Sequence, residues 1–230
     1  MGKMLPGLVV SFVNQKGGSG KSTLTAIYAN WLFTTGKKFN LRIAVVDCDN
    51  QQATLASLRE RELGETSKKG NELYTIIRMP SEAFADRLED LQNSYDIILV
   101  DLPGNMEQNG VMAIYHLIDV SFIPFKLTGG DIDGTIKFWD RYSKVIEERE
   151  KLGFKTIVKG IANDVTVNTA EFKDFNADGG VKDNLPFEVL DVYVRHRAEF
   201  GRYSTTDQKD DKQLYDVFDK LTETITSYIE

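Results

Sequence analysis

The stretch that constrains this chain most reads Asn14-Gln15-Lys16-Gly17-Gly18-Ser19-Gly20-Lys21-Ser22-Thr23. An apolar run, Leu8–Val13, leads into it, and a helical pattern from Lys21 to Thr35, with Gly36 as its stop signal, follows. Strand, glycine-rich loop and helix in that order make a phosphate-binding loop. Glycines let successive backbone N–H groups turn toward one anion, and the helix N-terminus adds partial positive charge. Gly17, Gly18, Ser19 and Gly20 supply that cradle. Lys21 is placed to reach the β- and γ-phosphates of a nucleotide, Ser22 to offer its hydroxyl to Mg²⁺, and Thr23 to reach the α-phosphate. The ordinary spacing asks for glycine five residues before Gly20. Gln15 stands there instead, and an additional lysine, Lys16, opens the loop. Lys-Gly-Gly-x-Gly-Lys-Ser-Thr arises by chance in about one chain in 10⁵.

Around this loop, short β-branched runs alternate with helical periods. The strand candidates are Leu8–Val13, Arg42–Asp47, Leu73–Arg78, Ile97–Asp101, Val120–Pro124, Thr156–Ile161 and Phe187–Leu190. Several are continuously apolar, as strands covered on both faces are. Ser81 is positioned to cap a helix carrying Phe84, Leu88 and Leu91. Ile132, Ile136, Trp139 and Ile146 mark one face of another helix, and Leu214, Phe218, Leu221, Ile225 and Tyr228 one face of the last. The pattern predicts a single α/β domain over 1–230, with a mostly parallel central sheet and helices on both faces. Polar loops are expected at Glu60–Asn71, Asn176–Asn184 and Tyr203–Asp211. Ligands in such folds sit at the carboxyl ends of the strands.

Composition removes several classes. An apolar fraction of 41% over 230 residues supports a large core and argues against disorder. The net charge of −7 excludes a uniformly basic nucleic-acid coat, though not a local basic patch. One cysteine, Cys48, excludes disulfides and cysteine-rich metal sites, and a buried structural thiol is its expected state. His116 and His196 are too far apart in sequence to suggest a histidine metal cluster. The first residues make a poor signal peptide and the longest apolar runs are of strand length, so a cytoplasmic location is expected.

The loop with two lysines resembles the deviant Walker A motif of the ParA/MinD group of ATPases. That resemblance implies that Lys21 binds the chain's own nucleotide, while Lys16 crosses a dimer interface to the partner's phosphates. Asp47-Cys48-Asp49-Asn50-Gln51 resembles the group's Asp-x-Asp-Pro-Gln segment, with Asn50 where proline is usual. By that likeness Asp49 polarises the attacking water and Asp47 supports the Mg²⁺ site. Ile97–Asp101 followed by Leu102-Pro103-Gly104 resembles a Walker B strand, whose carboxylate, Asp101, holds Mg²⁺ through water. Val120–Phe125 and Gly130-Asp131 resemble the next strand and its turn toward the dimer interface. Asn163 falls where relatives contact adenine. The guanine-reading Asn-Lys-x-Asp motif does not occur at this strand end, which favours ATP.

Within the group, one cysteine argues against the nitrogenase iron protein, the cluster carriers and the arsenite pumps. The acidic last helix argues against a MinD-like membrane anchor, and Tyr228 alone does not make the tyrosine cluster of the related kinases. The remaining likeness is to the small ParA partition ATPases without an N-terminal helix-turn-helix domain. It implies ATP and Mg²⁺ as cofactors, a homodimer on ATP binding, non-specific DNA binding with nucleoid association, no membrane partner, and a cargo-site-binding partner protein that stimulates hydrolysis. Arg195, Arg197 and Arg202, with His196, form the basic cluster in the C-terminal third expected to touch DNA. Two other classes stay open at this point: an accessory nucleotide switch in conjugative transfer, and an ATP-dependent ligase of the dethiobiotin synthetase kind.

Overall fold

The computed structural model describes residues 7–49, 55–64, 72–196, 203–207 and 212–229. Seven strands form one sheet: β1 (Leu8–Phe12), β2 (Ile43–Asp47), β3 (Thr75–Arg78), β4 (Ile97–Asp101), β5 (Val120–Phe125), β6 (Ile157–Val165) and β7 (Val189–Arg195). Their order is β3-β2-β4-β1-β5-β6-β7, and every neighbouring pair runs parallel. The helices are α1 (Lys21–Gly36), α2 (Leu55–Leu63), α3 (Ser81–Ser94), α4 (Val111–Tyr115), α5 (Gly129–Lys151), α6 (Ala170–Phe175) and α7 (Lys212–Thr226).

The apolar strands of the sheet centre feed two cores. Leu8, Val10 and Phe12 of β1 pack with α1 and α7, whereas Val9 and Val13 pack with α3, α4 and α5. Side chains alternate across the sheet even in a run with no polar residue, because helices cover both faces. Aromatic rings fill both layers. Phe12, Tyr28, Trp31 and Phe218 meet on one side, and Tyr115, Phe138 and Tyr142 on the other. Among the described residues no helix is long and apolar enough to cross a membrane.

Several local expectations change. Gly36 does not stop α1 in a left-handed turn, since its φ is −74° and the chain continues into a 3₁₀ turn, Lys37–Phe39. Asn40 takes the left-handed position at φ 54°, while Gly36 lets Leu41 approach, where an added Cβ would meet Leu41 Cβ at 3.0 Å. Ser81 is the first helical residue of α3 rather than its cap, and its hydroxyl donates to the Cys48 carbonyl. The buried stripe of α5 is Thr135, Phe138, Tyr142, Val145 and Arg149, so Ile132, Ile136, Trp139 and Ile146 flank it. Ile132, Trp139 and Ile146 still pack against the core, but hydropathy missed the stripe's centre because two of its members are polar, and Arg149 is buried by donating to Thr156, His116 and Asp119.

Two expected loops also differ. Residues 60–63 belong to α2, while 65–71 lie outside the described residues. Residues 203–207 are not a solvated surface loop, for Thr205 is wholly buried. The Arg59 guanidinium donates to its hydroxyl and carbonyl, and Asn30 Nδ2 donates to the Ser204 carbonyl at 2.8 Å. Finally, β6 and β7 run four to five residues beyond their expected ends, to Val165 and Arg195.

Candidate active site

β1 lies between β4 and β5, so the loop leaving its carboxyl end opens where the sheet's connections diverge. Gly18 and Gly20 hold φ of 73° and 98°, conformations that side chains rarely adopt. An added Cβ at Gly17 or Gly18 would find open space, whereas one at Gly20 would meet Asn163 Nδ2 at 2.2 Å. α1 begins at Lys21 with no side chain capping its first N–H groups. Those donors are therefore open to an anion.

Lys21 is 8% exposed. Burial lowers its pKa, and the nearby Asp101 and Asp49 carboxylates oppose that shift. Gly104, in the turn after β4, backs this lysine, for its Cβ position lies 3.6 Å from Lys21 Nζ and 3.3 Å from the Gln15 carbonyl. Asp101 ends β4 wholly buried. Burial pushes its carboxyl up to about 7, with the Ser22 hydroxyl and Lys21 pulling it down and Asp47 and Asp49 adding to the rise.

Asp47 sits beside Asp101 in register at the ends of β2 and β4. Its oxygens accept from the backbone N–H groups of Asp49 and Ala56, the latter at the start of α2. Asp49 is half-buried, with Asn50 and Gln51 beyond it outside the described residues. Cys48 is fully buried, and burial raises its thiol pKa to about 12, which is an inert thiol.

This donor set fits a polyphosphate with a hard cation. Asp101 Oδ1 and the Ser19 hydroxyl are buried and have no hydrogen-bond partner among the described residues. Open space faces Gly17 and Gly18, and the acids supply oxygen ligands of the kind Mg²⁺ takes. Ser22 and Asp101 would hold the cation, with Gly17–Thr23 and Lys21 holding the phosphates.

Lys16 lies apart from this acidic group. It is 47% exposed, and its ammonium is 3.7 Å from Asp131 Oδ1 in the first turn of α5. Behind it, fully buried Asn14 ties the loop to β5 and α5. The sequence places Asn14 at the start of the motif without singling it out; its burial and side-chain bonds do.

At the other side of the loop, Asn163 Nδ2 donates to the Ser19 carbonyl at 2.8 Å. The residue expected at adenine thus stands against the phosphate loop itself. The register with β7 shifts between Ala162 and Val165, and Asp164 takes a left-handed φ of 60°. Such a bulge re-aims side chains beside a site. Here Asp164 is aimed at Lys126, at 2.7 Å, and at His196 Nδ1, at 2.5 Å. Sequence patterning gave no signal for either pair, because a bulge breaks the two-residue period. Arg195 is exposed at the end of β7, an edge strand, and Arg197 and Arg202 lie outside the described residues.

A family model, the CobQ/CobB/MinD/ParA nucleotide binding domain, matches residues 10–224. The chain is 34% identical over 142 residues to a Rhizobium rhizogenes protein assigned the name replication protein A. That match covers 61% of this chain and 31% of the relative, so the chain spans about a third of that protein. MinD from Aquifex aeolicus superposes with a TM-score of 0.68 at 18% identity, covering 95% and 97% of the two chains. A plasmid partition protein from Borrelia burgdorferi gives 0.64 at 13%, over 94% and 98%. Cobyrinic acid a,c-diamide synthase from Mycobacterium smegmatis, solved with an ATP analog and magnesium, gives 0.64 at 15%, over 97% and 96%. With its loop, its sheet order and a model match over nearly its whole length, the chain belongs to the CobQ/CobB/MinD/ParA nucleotide-binding family.

Proposed function

We propose that this chain is an ATPase of the ParA type, which dimerises on Mg-ATP and partitions or positions plasmid or mobile-element DNA. The observation that supports this reading is the division between its two loop lysines. Lys21 is buried among Asp101 and Asp49, where the chain's own phosphates would lie. Lys16 is half-exposed on the other side and is free of that acidic group, so it is available to a facing subunit. A cation supplied across an interface offsets charge developing on the transferred phosphoryl group. In this scheme Asp49 polarises the attacking water, and Ser22 and Asp101 hold Mg²⁺, which neutralises phosphate charge when bound. Asn163 fixes the loop and borders the adenine.

The dimer binds duplex DNA without sequence preference through Arg195, joined by Arg197 and Arg202. A partner protein at the cargo site stimulates hydrolysis and release. Mobility shifts at several salt concentrations, with ATP, with ADP and without nucleotide, test this. ATP-dependent binding that weakens steeply with salt is expected, since it rests on neutralised phosphates. DNA binding absent under every nucleotide condition would overturn the partition reading and favour a transfer switch acting by protein contact.

A further inference from the structure

We infer that Asn14 is a positioning residue for Lys16: its buried carboxamide fixes the lysine's backbone and so the direction in which the side chain leaves the loop. This rests on the reading of Lys16 as the lysine that serves hydrolysis.

Asn14 is wholly buried, and three hydrogen bonds account for it. Its Nδ2 donates to the Pro124 carbonyl at 2.9 Å and to Thr135 Oγ1 at 3.0 Å, while its Oδ1 accepts from the Lys16 N–H at 3.0 Å. The amide's orientation follows from its neighbours. Pro124 offers only a carbonyl, and the single Thr135 hydroxyl proton goes to the Asp131 carbonyl at 2.8 Å. Both must therefore receive from the amide nitrogen, which turns the amide oxygen to Lys16. Aspartate would accept from Lys16 but could not donate to the other two, and leucine would remove all three bonds at a buried position.

The bonds close a ring. From the Lys16 N–H it passes through Asn14 and Thr135 to Asp131, whose carboxylate faces the Lys16 ammonium at 3.7 Å. Thr128 caps the same turn of α5, accepting from the Asp131 N–H and donating to its carboxylate. Lys16 Cδ runs alongside Gly134. Both ends of Lys16 are thus referenced to the start of α5 and the end of β5. Lys21 is outside the ring, its surroundings being Asp101, Asp49 and Gly104. A defect in Asn14 should therefore reach hydrolysis and spare nucleotide binding.

A double-mutant cycle on Asn14 and Lys16 tests this, read by single-turnover ATP hydrolysis and by ATP affinity. Asn14→Ala should slow hydrolysis about 10²-fold, the cost of misplacing a reacting group by roughly 1 Å. ATP affinity should stay within about threefold, a margin set against the tenfold steps of binding free energy. Added to Lys16→Ala, the same change should slow hydrolysis no further. Thr135→Val provides a second route that leaves Asn14 in place. It should slow hydrolysis in the same direction only while Lys16 is present, and Thr135→Ser should restore the rate. If Asn14→Ala slows the Lys16→Ala protein as much as it slows the natural one, or weakens ATP binding as Lys21→Ala does, the positioning role is overturned. If Lys16→Ala itself leaves hydrolysis unchanged, the reading of Lys16 falls first, and this inference falls with it.

Discussion

Lys16 and Lys21 stand at the two ends of one glycine loop, yet their surroundings differ in almost every physical respect. Lys21 is buried, opposed by two carboxylates, and backed by the turn after β4. Lys16 is half in solvent, faces Asp131, and is attached through Asn14 to a helix on the far side of the loop. A buried cation among acids is built to hold charge that arrives and stays. An exposed cation on a referenced backbone is what the proposed role across an interface requires. Two identical side chains five residues apart thus sit in different surroundings, and the proposed reading gives them different tasks on that ground.

The largest expected effect breaks that comparison at its exposed end. Lys16→Ala should leave ATP affinity nearly unchanged and reduce hydrolysis about 10³-fold, as losing a cation supplied in trans does elsewhere. Calorimetry with a non-hydrolysed analog, beside steady-state hydrolysis, separates the two quantities. Breaking the buried end should do the reverse. Lys21→Ala should weaken ATP binding about 10²-fold, the worth of charge-assisted bonds to phosphate in a desolvated site, and every later step should fail with it. Unchanged affinity in that variant would remove Lys21 from the phosphates.

Smaller effects sharpen the contrast between the loop and the end of β7. Replacing Arg195 and Arg197 with glutamate should lower ATP-dependent DNA affinity tenfold or more, roughly what losing a few phosphate contacts costs at moderate salt, while ATP affinity stays unchanged. A mobility-shift series checks both. The smallest effect concerns Asp164. Its burial favours the neutral carboxyl, but the Lys126 and His196 side chains outweigh that and hold its pKa below the ordinary carboxylate range. A folded pKa below the unfolded one means that the pair stabilises the fold above the ordinary carboxylate pKa. That stability is lost as pH falls through the folded value. Asp164→Asn should thus lower the melting temperature near neutral pH, and the difference should shrink toward pH 3. A difference that grows on acidification would contradict the pairing.

What could be read from residues alone follows the same division. The loop, the strand ends carrying Asp47 and Asp101, and the parallel sheet were legible because each is a local pattern. A glycine run after an apolar strand and an aspartate after four apolar residues need no distant partner to be recognised. Asn14, Thr135 and Asp131 were not legible as a unit, since their bonds span up to 121 residues. Arg149 and Thr135 misled the α5 stripe because their burial depends on partners, not on hydropathy. The extension of β6 through Asn163 was hidden by a bulge that breaks the two-residue alternation. Segment 203–207 read as solvated because the Arg59 and Asn30 side chains that satisfy its polar groups come from α2 and α1.

The proposed division of labour between the lysines is tested most directly by mixing Lys16→Ala with Asp49→Ala protein. Each variant alone should hydrolyse ATP at a small fraction of the natural rate. In a mixed dimer, the site on the Lys16→Ala subunit keeps its own Asp49 and receives the partner's intact Lys16. The other site lacks both. Random pairing at equal amounts makes half of all dimers mixed, with one of two sites competent, so the mixture should recover about one quarter of the natural activity. A rate no higher than the mean of the two variants, with mixed dimers demonstrated by a tag on one of them, would contradict a lysine acting across the interface.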